Sequence, residues 1–226
     1  MLSITVLHDY TCWRGEIGNR IKFPLRYIIQ YMNQLIVIVG PSGAGKTTLA
    51  RALCLKRKFA IAYEQHRERP FQALFKQDSK YALANQLDYL LFRAEQEREL
   101  RNGTLPALMD GGLDLDFHGF TRLFHARGWL SDEEFGLCRR FYEHTRSLLP
   151  PPDLVVSLSV AEETISQRLA KRSRINIATS EDTTLFNSFV AEWLDSIPKS
   201  NLLRLDVSSE TSNYPKSTQA ILERLK

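Results

Sequence analysis

Gly40-Pro41-Ser42-Gly43-Ala44-Gly45-Lys46-Thr47 satisfies the pattern G-x-x-x-x-G-K-[ST] at every position. No other stretch constrains the fold as strongly. The apolar run Leu35 to Val39 precedes it, and a helix-like segment from Lys46 to about Arg57 follows. A buried strand, a glycine-rich turn and a helix, in that order, converge backbone N–H groups and a positive helix end on a phosphate. In such a loop the lysine reaches the β- and γ-phosphates and the hydroxyl residue ligates Mg²⁺. The stretch from Gly40 through Thr48 is therefore expected to bind ATP, with Lys46 on the phosphates and Thr47 on the metal. The motif says nothing about a second substrate.

The rest of the chain alternates in the same way. Phe59 to Tyr63, Ala107 to Met109, Leu154 to Leu158 and Leu202 to Val207 read as strands. Helical patterns fill Phe71 to Arg101, then a segment opened by the capping box at Ser131 and stopped by Pro150-Pro151-Pro152, then Ala161 to Arg172 and the C-terminus. Strands alternating with helices predict right-handed crossovers and an α/β, three-layer sandwich around a five-stranded parallel sheet, as in P-loop nucleoside triphosphate hydrolases. Ligands in such sheets bind at the carboxyl ends of the strands. Glu64 and Asp110, which follow or end strands, are accordingly singled out.

Bulk composition narrows the function classes. The chain has 226 residues, 43% of them hydrophobic, which suits one domain with a substantial core. Thirty basic against 26 acidic residues leave a formal charge of +4, too mild for a nucleic-acid binder. Three irregularly spaced cysteines indicate neither a disulfide framework nor a zinc site, and a reducing cytoplasm is expected. No stretch is apolar and long enough to span a membrane. Residues 1–31 lack a clear period and are read as an extension before a domain at 32–226, with Met32 as a candidate natural start.

Several spacings taken together resemble the deoxynucleoside kinase family, which includes bacterial deoxyadenosine and deoxyguanosine kinases. The resemblance runs from about Leu35 to Val207. It implies an enzyme that phosphorylates the 5′-hydroxyl of a (deoxy)nucleoside with ATP and Mg²⁺, with an arginine-rich lid and commonly as a homodimer. By that resemblance Glu64 is the general base. Gln86 and Arg93, seven residues apart on one helix face, contact the base, and Asp116 pairs with Arg93. Asp110 stands beside the metal, and Arg168, Arg172 and Arg174 are the lid arginines over the phosphates. Asp114 matches no family functional residue and reads as a helix N-cap. Gln86 and Arg93 also fit a polar stripe beside a buried face of Leu83, Leu87 and Leu91.

The match breaks at four positions. The family's arginine after the acid of the third strand is Gly111 here, and Arg67, Arg69 and Arg122 are candidates to replace it. Phe75 stands where a tyrosine senses the sugar 3′-hydroxyl, Ile177 where a lid glutamate stands, and Gln65 replaces a proline. A nucleoside monophosphate kinase and a catalytically weak ATP-binding sensor or regulatory module are the alternative readings.

Overall fold

The computed structural model describes residues 33–63, 68–161 and 180–225. The extension at 1–31, Glu64 and the lid arginines Arg168, Arg172 and Arg174 lie outside them. Five strands, β1 (Leu35–Val39), β2 (Ala60–Ala62), β3 (Ala107–Asp110), β4 (Leu154–Ser159) and β5 (Leu202–Asp206), form one parallel sheet in the order β2-β3-β1-β4-β5. Helices cover both faces, which is the three-layer α/β sandwich the alternation predicts. Among the described residues no helix is long and apolar enough to cross a membrane.

The period of two along each strand distributes its side chains between the two faces. Ile36 and Ile38 of β1, Leu108 of β3 and Val156 of β4 pack against α1 (Lys46–Lys56) through Leu49 and Leu53. Leu35, Val37, Val39, Ala107, Met109 and Val155 face the other way, toward Leu115, Trp193 and Leu194. All five β1 side chains are buried, so the strand needs apolar residues at every position.

The helical pattern from Phe71 to Arg101 is not one element. It breaks into α2 (Pro70–Phe75), a 3₁₀ turn at Ser79–Tyr81 and α3 (Ala82–Arg101), because Asp78 accepts a hydrogen bond from the Lys80 N–H and caps the turn. Helical turns at Leu113–Leu115 and Arg122–Ala126 flank a π-helical stretch at Asp116–Thr121, and together they make α4. α5 (Asp132–Leu148) begins at the expected capping box of Ser131 and Glu134. α6 (Ser180–Ser196) was not anticipated from sequence. It places Trp193 and Leu194 on the sheet and Phe186 against Gly119, where an added Cβ would collide with the ring. α7 (Pro215–Arg224) closes the chain over the α1 side, with Ile221 and the preceding Tyr214 in the core.

α3 buries charge and amide where apolar residues are expected. Asn85, Gln86, Arg93, Glu97 and Arg101 are all buried; of the leucine face read from sequence, Leu83 and Leu87 pack partly buried against the core and Leu91 is 47% exposed. Arg146 of α5 holds Glu97 through two bonds of 2.9 and 3.0 Å and Asp114 through two of 2.9 and 2.8 Å. Arg101 adds a 3.0 Å bond to Glu97 and donates to the carbonyls of Pro150 and Pro151. Burial works against the charge of Arg146, but Asp114 and Glu97 outweigh it and raise its pKa. Asp114 is therefore not a helix cap. Gly112 occupies the N-cap position, and the Asp114 carboxylate turns inward to Arg146 and the Tyr142 hydroxyl.

Candidate active site

β1 delivers the chain into the phosphate loop, and α1 starts immediately behind it with Gly45 at its N-cap. Lys46 Nζ donates to the carbonyls of Gly40 (3.0 Å) and Pro41 (3.2 Å), so the loop folds around its own lysine. Register puts Ile38 of β1 opposite Asp110 of β3. This brings the end of β3 under the loop, where Thr47 Oγ1 donates to Asp110 Oδ2 at 2.6 Å. A hydroxyl and a buried carboxylate, both hard oxygen donors beside a phosphate loop, fit the incomplete shell that Mg²⁺ accepts when phosphates and water supply the rest.

Beyond Asp110 the chain turns through Gly111, whose N–H donates to Ile38, and enters α4. Asp116 then faces α3. Arg93 Nε donates to Asp116 Oδ2 at 3.0 Å, and Arg93 Nη1 donates to Gln96 at 3.1 Å. Both partners of the ion pair are almost fully buried. The Arg93 guanidinium reaches back to Gly111, where an added Cβ would lie 3.4 Å from Nη2. Gln86, two turns earlier on the same face of the helix, is gripped by Thr121: the Thr121 hydroxyl donates to Gln86 Oε1 at 3.0 Å and shares its proton with the Asp116 carbonyl at 3.1 Å. The π-helical stretch makes this grip, because its wider turn brings Thr121 over Asp116. Thr121 gives no local sequence signal, since nothing in the chain announces a π-helix there. Tyr89, raised by burial and then by the Asp116 charge, borders the same cluster.

The structure therefore brings together Lys46, Thr47 and Asp110 at one end, and Gln86, Arg93 and Asp116 at the other, joined through Gly111. It does not bring every singled-out residue there. Phe75 stacks on Phe124 at 4.8 Å and meets Trp129 edge-on at 5.4 Å, inside an aromatic cluster. Arg122 is turned to Glu192 (2.7 Å) and Phe189, both on α6. Arg69 makes a two-point contact with Asp88 (2.5 and 2.6 Å) and lies over Phe92.

A parallel sheet with a phosphate loop on β1, an acid at the end of β3 and a polar helix α3 facing α4 defines a P-loop kinase. The comparisons specify which kind. Residues 36–226 match the sequence model of the deoxynucleoside kinase family, and the chain belongs to that family. Over 140 residues it is 28% identical to the deoxyguanosine kinase of Bacillus subtilis (strain 168), covering 62% of this chain and 67% of that one. Deoxyadenosine kinase from M. mycoides shares the fold. Its structure with dCMP and dCDP bound superposes with a TM-score of 0.68 at 22% identity, over 85% of this chain and 98% of that one. Its structure with bound dATP gives 0.67 at 22%, over 85% and 99%. The chain is a deoxynucleoside kinase-like enzyme that uses a nucleoside triphosphate and acts on a small molecule.

Proposed function

We propose that the protein transfers the γ-phosphoryl group of ATP to the 5′-hydroxyl of a (deoxy)nucleoside, giving the 5′-monophosphate and ADP. The observation that carries this is the joining of two clusters through one turn. The Thr47–Asp110 contact marks the phosphate end, and the Arg93–Asp116 ion pair, with Gln86 beside it, marks an acceptor end.

In this reading Gly40 to Thr48 hold the triphosphate and Lys46 leaves its loop carbonyls for the β- and γ-phosphates. Thr47 and Asp110 hold Mg²⁺, which neutralises charge on the phosphates. Glu64 accepts the 5′-hydroxyl proton as that oxygen bonds to the γ-phosphorus and the bridge to ADP breaks. Arg168, Arg172 and Arg174 close over the phosphates. Gln86 and Arg93 contact the base, and Asp116 orients Arg93. Of the candidates to replace the family arginine missing at Gly111, Arg69 is held by Asp88 and Arg122 by Glu192, and Arg67 lies outside the described residues. The same reading carries a cytoplasmic homodimer, which sedimentation tests. Arg69, Arg93 and Arg122 each pair with a carboxylate, which disfavours a site for an acceptor phosphate and hence a nucleoside monophosphate kinase.

Transfer of label from γ-labelled ATP is the test, across deoxynucleosides, ribonucleosides and their monophosphates. The expected products are nucleoside 5′-monophosphates, and Glu64→Gln should lower the chemical step by about 10²–10⁴. A folded, ATP-binding protein that labels no nucleoside would refute the reading.

A further inference from the structure

Asn85 is 3% exposed, and its Oδ1 has no hydrogen-bond partner among the described residues. Buried polar groups are nearly always bonded, so an orphaned amide oxygen asks what donor it is kept for. Its position on α3 gives the context. At 3.6 residues per turn, Asn85 projects within about 40° of Tyr89 and Phe92 and roughly 80–100° from Gln86 and Arg93. Arg69 lies over the Tyr89 ring at 6.0 Å and over the Phe92 ring at 4.5 Å. That flank of α3 therefore faces Arg69, and the adjoining flank carries Gln86 and Arg93. Asn85 lies on the Arg69-facing flank, next to Tyr89, which stands between it and the flank of Gln86 and Arg93.

The chemistry of its neighbours says what is missing there. Arg93 has only donors. The Gln86 carbonyl oxygen already accepts from Thr121, and the Gln86 amide nitrogen is a donor. Of these three side chains, Asn85 alone has an acceptor oxygen that receives no hydrogen bond from the described residues. A base bearing an exocyclic amino group supplies the matching donor, and rotation about the Asn85 side-chain bonds turns the amide oxygen toward it.

We infer that Asn85 is a base-selecting residue whose amide oxygen accepts a hydrogen bond from an exocyclic amino group of the nucleoside. The inference rests on the reading of α3 as the base-contacting wall. It extends that reading by naming the selected group, so thymine and uracil nucleosides are the disfavoured class.

The test compares pairs that differ by the amino group: deoxycytidine with deoxyuridine, and deoxyadenosine with purine 2′-deoxyriboside. The wild-type enzyme should favour the amino-bearing member of at least one pair by tenfold or more in kcat/KM. Asn85→Leu, close in size but without an acceptor, should collapse that preference through KM for the amino-bearing member, with ATP KM unchanged. Asn85→Ala is run alongside, and thermal melting verifies that either variant folds. An unchanged preference in a folded variant, an equal loss on both members, or a wild type with no amino preference overturns the inference alone. A wild type that phosphorylates no nucleoside overturns the parent reading, and this inference with it.

Discussion

Gly111 takes φ +76°, a conformation that side chains bearing a Cβ rarely adopt, and it does so with Arg93 Nη2 3.4 Å from where that Cβ would be. The absence of the family arginine at this position is thus built into the backbone as well as the side chain. Restoring it is expected to cost stability. Gly111→Arg should destabilise the fold by about 1–2 kcal/mol through the left-handed backbone alone, and turnover should not rise. Chemical denaturation and kcat measure the two effects. A variant as stable as wild type and faster would mean that the turn relaxes to negative φ and that the arginine's place was open. Neighbouring residues show what local reading can and cannot do. The Arg93–Asp116 contact is implied by the family resemblance and not by local spacing, and the structure has the two side chains 3.0 Å apart. Asp114 read as a cap because short carboxylates favour helix starts. Its true partners, Arg146 and Tyr142, lie about thirty residues away in sequence and leave no local trace.

α3 and α4 work as a pair, and their packing is ionic where most elements use hydrocarbon. Glu97, Asp114, Arg101 and Arg146 are two carboxylates and two guanidiniums with side chains no more than 11% exposed. Removing a central cation leaves buried negative charge without compensation. Arg146→Met is therefore expected to destabilise by about 3–5 kcal/mol, read by urea unfolding, and to loosen the start of α4, on which Asp116 is mounted. A loss under 1 kcal/mol would show that water reaches Asp114 and Glu97 readily. The period of a helix is legible in sequence, but the face it buries is not, and α3 illustrates the difference. Leucine spacing pointed to Leu83, Leu87 and Leu91; the first two pack against the core and Leu91 is exposed, while the paired charges of Arg93, Glu97 and Arg101 occupy the rest of the inner face. α6 was not read from sequence although Phe186, Val190, Trp193 and Leu194 lie on one helical face and pack together against the sheet.

At the scale of the molecule, strand order does the assembling. β3 lies beside β1, so an acid 63 residues beyond Thr47 arrives within hydrogen-bond distance of it. If that contact is a metal site, a non-hydrolysable ATP analogue should raise the melting temperature further when Mg²⁺ is added. Asp110→Asn should remove the Mg²⁺-dependent increment and retain part of the Mg²⁺-free one. At a hundredfold excess over Kd, bound nucleotide stabilises by about 2.7 kcal/mol, well within the range a thermal scan resolves. An undiminished Mg²⁺ increment in Asp110→Asn would remove Asp110 from the metal. The sequence by itself determined the phosphate loop, the five strands and the parallel sandwich, because a glycine pattern and runs of buried strand residues are local and periodic. Tertiary structure alone decided which polar groups face one another: Thr121 on Gln86, Arg146 between Asp114 and Glu97, and Asn85 left with an orphaned oxygen. Those pairings depend on how two helices dock, and docking is set by the summed packing of the whole core, which no short stretch of sequence encodes.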